Sequence, residues 1–273
     1  MASLRCGNIT IEGESSSAIA TYLRIRELDL IFDLGRCPMN FIGTGHVFIS
    51  HFHLDHYFGL PIYVSQRWLA GIPPGKICVP TEGIDQLRRI LDEIAVLDCG
   101  MEWDYHLTAV QVGDIIPFRR NLVAHVLPAD HGVPAVGYLI CETRQKLKPE
   151  YLSLPGNEIA RLRRAGIEVS NRIELPLVAY LGDTQSIPHA SHPLLRRCPV
   201  LICECTFLMP EHREHAKKTM HFHLDSLPKL LQSIESEHIV LTHFSRRYTS
   251  EHVRRLINAE LKPANRSRVH LLI

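Results

Sequence analysis

The segment HVFISHFHLDH, residues 46–56, decides how this chain folds. Its apolar start, HVFIS, predicts a buried strand, and an apolar-periodic run over 57–69 predicts a helix soon after it. The turn between them carries four side chains of metal-ligand type, namely His51, His53, Asp55 and His56. Imidazole nitrogen and carboxylate oxygen are ligands that Zn²⁺ accepts. Because the chain turns from strand to helix here, the two loop histidines can point to one metal position while the acid and histidine at the helix start point to a second.

The composition predicts a single large layered domain covering residues 1–273. Hydrophobic residues make up 45% of the chain, which is enough to fill a core. With 30 Lys and Arg against 29 Asp and Glu, the formal charge of +1 excludes binding of nucleic acid or membrane by overall positive charge. The sequence has neither a run of about 18 apolar residues that would span a bilayer nor the apolar core of a secretory signal. We therefore expect a cytoplasmic protein with no membrane partner.

Strand-type runs open the chain and then alternate with helical ones. The opening runs are rich in Ile, Thr and Leu and cover 4–12, 18–26 and 29–33. Further strands are predicted over 46–50, 76–79, 105–110, 122–128, 135–140, 177–181, 199–203 and 238–242. Helices are predicted over 57–69, 83–96, 224–235 and 249–260. This alternation predicts an α/β or α+β fold in which helices cover sheets.

Three more metal-type side chains follow later predicted strands. The string ADHGVPAVGY contains His131, YLGDT contains Asp183 after the run LPLVAY, and LTHFSRRY contains His243 after IVLT. Because neighbouring strands end at a common sheet edge, side chains at their tips can converge. A single histidine in such a place is more often an ordinary core or surface residue. Together with the 46–56 segment, however, these three side chains complete a set of seven ligands.

A basic segment, residues 142–175 and here called the arm, interrupts the alternation. From Thr143 to Glu168 it carries three acidic residues against six basic ones, which are Arg144, Lys146, Lys148, Arg161, Arg163 and Arg164. Such a stretch is by itself most often a solvated surface helix. Since the whole chain is nearly neutral, a local patch of this kind is what an RNA-binding function would need.

The eight cysteines lack the close spacing of a disulfide scaffold, and we interpret them as reduced thiols. Cys203 and Cys205 lie two residues apart on a predicted strand, so they share a face and offer an alternative metal chelate. No second cysteine pair supplies the remaining ligands, which makes this alternative the weaker hypothesis.

The motif HxHxDH at 51–56, followed by His131, the aspartate of a GDT string and a last His243, resembles the metallo-β-lactamase superfamily. This resemblance implies a four-layer αβ/βα sandwich with a two-metal site at one edge and a short helical arm inserted between His131 and Asp183. The strings HGVPAVGY, YLGDT, ECTF and THFSRRY resemble the tRNase Z family within that superfamily. FDLGRCP, GLPIYV and KLKPEYLSLPGNEI further resemble its short plant-type branch.

The resemblance also implies the roles of the site residues. Two sets of three ligands and one bridging residue would hold two Zn²⁺ ions per chain: His51, His53 and His131; Asp55, His56 and His243; and Asp183. Mn²⁺ or Fe²⁺ are alternative metals. ECTF and HLDS align with family strings whose Glu and His relay a proton, which identifies Glu204 and His223 as catalytic beside Asp55. The same alignment favours His223 over its neighbour His221.

The implied activity is that of a zinc-dependent endoribonuclease, a phosphodiesterase that removes the 3′ trailer from tRNA precursors. The resemblance further implies a homodimer in which the arm of one subunit holds tRNA for the site of the other, so the six basic arm residues are candidate tRNA contacts. A hydrolase of small phosphodiesters, sulfates or thioesters with the same fold is the alternative, and it would lack both the basic arm and THFSRRY. A third hypothesis, a catalytically inactive RNA-binding relative, predicts eroded ligands, whereas all seven are present.

Overall fold

Two seven-stranded sheets form the framework in the computed structural model, which describes residues 1–100, 102–187 and 192–273 apart from the side chain of Cys99. The strands of the first sheet follow chain order and are β1 (Ala2–Cys6), β2 (Ile9–Ser16), β3 (Ala20–Ile25), β4 (Leu30–Leu34), β5 (His46–Phe48), β6 (Lys76–Pro80) and β7 (His106–Val110). Strands β1 to β4 are antiparallel, and β4 to β7 are parallel. The predicted opening strands over 4–12, 18–26 and 29–33 thus correspond to β1 to β4, which form an antiparallel meander.

The second sheet mirrors the first in its connections. Its strands are β8 (Ile115–Arg119), β9 (Leu122–Pro128), β10 (Val136–Leu147), β11 (Ser170–Tyr180), β12 (Val200–Glu204), β13 (His238–Thr242) and β14 (Val269–Leu271). The pairs from β8 to β11 are antiparallel, and those from β11 to β14 are parallel. Each sheet thus begins with hairpins and ends with crossover connections, which place helices on its outer face.

The helices form the outer layers. Their bounds are α1 (Leu54–Tyr57), α2 (Leu60–Leu69), α3 (Ile84–Cys99), α4 (Gly156–Arg164), α5 (Arg213–Thr219), α6 (Leu227–Ser233) and α7 (Ser250–Glu260). Apolar faces of α2 and α3 pack on the first sheet, and those of α6 and α7 pack on the second. Within the described ranges, no helix combines the length and the apolar character that crossing a membrane requires.

Aromatic rings fill the space between the two sheets. The ring of Phe32 in β4 lies 5.0 Å from that of Tyr180 in β11, and the ring of Phe48 in β5 lies 5.1 Å from that of Tyr138 in β10. These four side chains belong to one buried cluster with residues of both sheets. Burial of such large rings is a main source of folding free energy. The four-layer αβ/βα arrangement predicted from the sequence is confirmed.

Two predicted elements are divided at glycines. The predicted strand 4–12 is two strands, joined at Gly7, whose φ of +59° lies in the left-handed region that glycine adopts at low cost. The predicted helix 57–69 corresponds to the end of α1 and to α2, with Gly59 between them. A side chain does not fit at Gly59, because an added Cβ would lie 2.6 Å from the carbonyl oxygen of Leu34.

The sequence pattern did not predict three further elements, which are β8, α5 and β14. Strand β8 contains Pro117, which disfavours strands except at a sheet edge, and β8 is an edge strand. Helix α5 buries only Ala216 and therefore has no apolar stripe. Strand β14 is three residues long, which is too short for an alternating pattern.

The arm consists of a two-stranded β-ribbon, formed by the ends of β10 and β11, and of helix α4. Strands β10 and β11 extend well beyond the predicted 135–140 and 177–181, and their pairing continues to Leu147 opposite Ser170. Beyond Glu142, β10 pairs with β11 alone, and Arg144, Gln145 and Lys146 are exposed, so polar residues are tolerated there. Helix α4 lies at the far end of the arm and buries none of its residues.

Candidate metal centre and active site

All seven predicted ligands meet at one edge of the sandwich, where strands of both sheets end. His51 follows β5, Asp183 follows β11 and His243 directly follows β13. Parallel strands point their carboxyl ends to this edge, which is where loops of such sheets build sites. Topology therefore brings the three later ligands to the four that lie close together in sequence at 51–56.

A first cluster contains three imidazoles and a carboxylate. Nε2 of His51 lies 3.0 Å from Nδ1 of His53, and Nε2 of His131 lies 3.3 Å from the same Nδ1. Oδ2 of Asp183 lies 3.8 Å from Nε2 of His51. One ligand atom from each of these four residues falls within 4.8 Å of all the others.

A second cluster lies on the other side of Asp183. Nε2 of His56 lies 3.3 Å from Nε2 of His243, and Oδ2 of Asp55 lies 3.6 Å and 3.5 Å from these two nitrogens. Oδ2 of Asp183 lies 3.4 Å from both of them. Because the same Asp183 oxygen faces both clusters, this carboxylate occupies the position of a bridging ligand.

The donor set fits a divalent metal. In each cluster, two imidazole nitrogens lie within hydrogen-bond distance of each other. In any such pair at least one nitrogen must carry a lone pair, so each cluster contains nitrogen lone pairs that can bind a metal. The opposite ring nitrogens of four histidines have partners that fix their orientation: His51 with Ser50 Oγ at 3.0 Å, His56 with Asp33 at 2.7 Å, His131 with the Met220 carbonyl at 3.2 Å and His243 with Thr206 Oγ1 at 3.0 Å. Metal-binding histidines are typically oriented in this way.

The protonation states of two cluster groups suit metal binding, but that of His56 does not. Burial opposes protonation of His56, yet the charges of Asp183 and Asp33 raise its pKa well above the ordinary value, so a cation would have to displace a proton there. Burial, followed by the charge of His56, lowers the pKa of His51 well below its ordinary value, so that ring is neutral. Burial opposes ionisation of Asp183, but His243 and His56 hold the pKa of its carboxyl well below the usual range. A neutral imidazole and an ionised carboxylate are the forms that bind a cation.

Asp33 supports the site and was not predicted as a functional residue. Its carboxylate accepts hydrogen bonds from the Ser50 N–H at 2.6 Å, from the Ser50 hydroxyl at 2.7 Å and from Tyr180, besides contacting His56. Its backbone φ is +52°, and that of His243 is +60°. Non-glycine residues rarely adopt this region; five of the described residues do so, and these two lie at the candidate site. A charged residue within the apolar strand LIFDL was the signal available in the sequence.

The histidine beside Glu204 is His221, and the predicted Glu204–His223 pair is wrong. Nδ1 of His221 lies 3.0 Å from Oε1 of Glu204, and its ring also packs 5.0 Å from that of His131. Nε2 of His223 instead lies 3.0 Å from the carbonyl oxygen of Met209, away from Glu204. A backbone bridge between Phe207 and His223 fixes the position of this segment, and the His223 side chain points away from the clusters.

Glu204 is held in place and raises the proton affinity of His221. The carboxylate is 1% exposed and accepts hydrogen bonds from the Thr184 N–H at 2.7 Å and from the Thr206 hydroxyl. Burial works against protonation of His221, but the hydrogen bond and charge of Glu204 raise the pKa of that imidazole above its ordinary value. His221 can therefore carry a proton at the edge of the clusters.

A cleft of about 660 Å³ opens onto the clusters. Its lining includes Asp183, His221 and His243, and two exposed apolar side chains, Leu54 and Phe58, stand at its rim. Of the six predicted arm contacts, none is among the residues that line this cleft; Lys148 is half-buried and the other five are exposed on the ribbon and on α4. The arm residues are therefore separate from the chemistry at the clusters.

The alternative chelate at Cys203 and Cys205 is not formed. Both thiols are completely buried in the apolar core beneath α6 and α7. Among the described residues, no group of potential metal ligands includes either of them. Burial raises the pKa of the Cys205 thiol well above its ordinary value, as expected for an inert core cysteine.

Comparisons with known proteins agree with the geometry. A family model described as a beta-lactamase superfamily domain matches residues 41–244. A tRNase Z of Arabidopsis thaliana is 34% identical over 265 residues, which cover 96% of this chain and 94% of that protein. A chloroplastic tRNase Z of the same plant is 35% identical over 252 residues, covering 90% of this chain and 70% of the relative.

Among solved structures, the short form of human tRNase Z superposes with a TM-score of 0.64 at 19% identity, covering 96% of this chain and 95% of the human one. That likeness concerns the fold, since the identity is low. The plant relatives exceed 30% identity over most of both chains. This protein therefore belongs to the tRNase Z family and has the metallo-β-lactamase fold.

Proposed function

We propose that this protein is a metal-dependent endoribonuclease that removes the 3′ trailer from tRNA precursors. The observation that carries the proposal is the convergence of seven potential metal ligands, four of which line one cleft, beside the Glu204–His221 pair. The relatives named tRNase Z support the choice of substrate. Cleavage would leave a 3′-hydroxyl on the tRNA and a 5′-phosphate on the trailer.

We assign two divalent cations to the two clusters, and zinc is the metal that the nitrogen and oxygen donors favour. The first cation would be held by His51, His53 and His131, and the second by Asp55, His56 and His243, with Asp183 touching both. When bound, the cations supply a Lewis acid for the phosphate and make water acidic enough to attack it near neutral pH.

His221 is proposed to deliver the proton that the departing 3′ oxygen needs. Its side chain lines the cleft, and Glu204 fixes the ring through Nδ1, which leaves Nε2 to face the substrate. A carboxylate behind an imidazole fixes the tautomer and stabilises the protonated form. Glu204 is thus a positioning residue and His221 the proton donor, in place of His223.

Asp55 is proposed as a catalytic residue as well as a ligand. The backbone N–H of Ala18 donates to its Oδ2 at 2.8 Å, which fixes the carboxylate at the cleft wall. From there the carboxylate can accept a proton from the attacking water. The loop after β2 therefore helps to orient a group of the opposite helix α1.

The arm is proposed as the tRNA-binding element. Arg161, Arg163 and Arg164 are exposed on α4, at the far end of a ribbon that leads away from the cleft. Exposed guanidinium groups neutralise phosphates, and a nearly neutral chain needs such a local patch to bind RNA. We also propose that the protein is a homodimer in which the arm of each subunit binds tRNA for the site of the other. We propose a cytoplasmic location as well.

Cleavage mapping tests the proposed function. The metal-loaded protein is incubated with a tRNA precursor bearing a 3′ trailer, and the ends of the products are determined. A cut at the junction of tRNA and trailer, with the end groups given above, supports the proposal. Turnover of a small chromogenic phosphodiester with the RNA left intact would instead favour the small-substrate hydrolase.

A further inference from the structure

We infer that Cys6, His238 and His270 form an additional metal site of the zinc type. Nδ1 of His238 lies 2.9 Å from Nε2 of His270, and one ligand atom from each of the three residues lies within 4.8 Å of the other two. Cys6 is 1% exposed, and the two histidines are half-buried. The inference does not rest on the proposed function, because these residues take no part in the clusters at the cleft.

Strand pairing explains why the three side chains meet. His238 and Val240 lie on one face of β13, since side chains alternate along a strand, and His270 of β14 is paired with Val240. Val240 belongs to the cluster packed between the sheets, and so does Cys6 at the end of β1. The two histidines of the second sheet therefore face the cysteine of the first across the sandwich.

The turn after Cys6 lies against the same imidazole. A Cβ added to Gly7 would lie 3.9 Å from Nε2 of His238, so this ring packs over the β1–β2 turn. Gly7 has a φ of +59°, which turns the chain directly after the thiol. The approach of Cys6 to His238 is thus fixed by backbone geometry as well as by packing.

The position is remote from the catalytic clusters. His238 begins β13, and His243 comes directly after its last residue, so a whole five-residue strand separates them. At about 3.3 Å per residue the separation is roughly 16 Å. A metal at His238 cannot share ligands with the clusters, and its loss should leave the chemistry there intact.

The ligand set selects a borderline-soft cation. One thiolate and two imidazoles suit Zn²⁺, which often takes three protein ligands and keeps a fourth tetrahedral position for water. With metal–nitrogen bonds of about 2.0 Å and a metal–sulfur bond of about 2.3 Å, tetrahedral donors lie roughly 3.3–3.6 Å apart. The two imidazole nitrogens need to separate by only a few tenths of an ångström to reach that spacing.

Binding would convert the Cys6 thiol to a thiolate, with the proton released to solvent and no change in oxidation state. Burial raises the pKa of this thiol to about 11, so without a metal it stays protonated. The metal would join β1, the edge strand of the first sheet, to β13 and β14 of the second sheet. Strand β14 is three residues long and forms the edge of that sheet. Its role would therefore be structural, holding the two chain ends against the core.

Cobalt spectroscopy on the full-length protein tests the site. Co²⁺ bound by thiolate gives an intense sulfur-to-metal charge-transfer band in the near ultraviolet, which nitrogen and oxygen ligands do not give. The catalytic clusters contain only histidine and aspartate, so the band reports a cysteine site whatever the activity. We expect the band in the wild-type protein and its loss in Cys6→Ser and in His270→Gln, with circular dichroism unchanged.

Cys141→Ser is the matched control, because Cys141 is also buried and lies in another possible ligand group with His125 and Glu174. Its band should match that of the wild type. Zinc content should fall by one equivalent per chain in Cys6→Ser while RNA cleavage stays at the wild-type rate. A missing band in the wild type, or a band lost only in Cys141→Ser, would overturn the inference.

Discussion

Oε1 of Glu204 lies 3.0 Å from Nδ1 of His221, and Oδ2 of Asp183 lies 3.9 Å from that same nitrogen. Two carboxylates thus face the same nitrogen of this imidazole: the buried Glu204 orients the ring, and Asp183 links its position to both metal clusters. A proton donor held in this way is ready at the cleft before any substrate arrives, which lowers the cost of positioning it.

The first prediction separates the two neighbouring histidines. His221→Ala should slow cleavage of a tRNA precursor by roughly 10² to 10⁴, the range for loss of a general acid. His223→Ala is the control, because His223 contacts the Met209 carbonyl and not Glu204. It should cleave at nearly the wild-type rate, although with a lower melting temperature. Single-turnover rates measure both effects, and equal losses in the two variants would contradict the assignment.

The second prediction concerns the carboxylate between the clusters. Asp183→Asn keeps the shape of the side chain but removes the charge that faces both clusters, so metal content should fall below that of the wild type and turnover should drop to background. Elemental analysis and cleavage assays measure the two effects. Asp114→Asn, on an exposed turn, is the matched control and should keep the wild-type metal content, close to two zinc-type ions at the clusters. Full activity in Asp183→Asn would exclude the two-metal arrangement.

The third prediction tests the support given by Asp33. Asp33→Asn tolerates the positive φ of this position but weakens the hydrogen bonds to His56 and Ser50. Loss of such a partner typically costs about 10- to 100-fold in metal affinity or activity. Metal-dependent titration of activity measures the shift, which excess metal should partly reverse.

Tyr180→Phe is the companion variant, because it removes one donor to Asp33 and leaves the carboxylate in place. Its metal affinity should lie between those of the wild type and Asp33→Asn. An Asp33→Asn variant that binds metal as tightly as the wild type would show that Asp33 serves the fold alone.

Periodicity in the sequence was enough to predict sheets covered by helices and the shared sheet edge, whereas the four-layer sandwich was implied by the family resemblance. The ligands after β5, β11 and β13 follow apolar strands, so their convergence is a consequence of topology that the pattern contains. The arm was harder to predict, because β10 and β11 run there without a core beneath them and lose their apolar alternation.

The choice between His221 and His223 depends on long-range contacts that the sequence does not display. Two residues apart on an extended chain, these side chains share a face, so no local pattern distinguishes them. The Leu224 N–H donates to the carbonyl oxygen of Phe207 at 2.9 Å and fixes this segment beside the strand end. Met220, at a φ of +54°, turns the chain just before it and brings His221 to Glu204.

The last prediction asks whether the arm binds substrate. Arg163→Ala/Arg164→Ala should raise KM for a tRNA precursor and reduce the slope of log affinity against log salt by up to about 2, because each phosphate contact contributes roughly 0.7 to 0.9. Arg88→Ala/Arg89→Ala removes equal charge from exposed positions of α3 and is the matched control. It should leave KM and the slope near the wild-type values.

A small chromogenic phosphodiester separates binding by the arm from the chemistry at the clusters. The arm residues do not line the cleft, so Arg163→Ala/Arg164→Ala should hydrolyse this compound at the wild-type rate. A parallel loss on both substrates would mean that the arm supports the fold of the site. Unchanged KM for RNA would mean that α4 is an ordinary solvated helix, and the tRNA substrate would then rest on the family relationship alone.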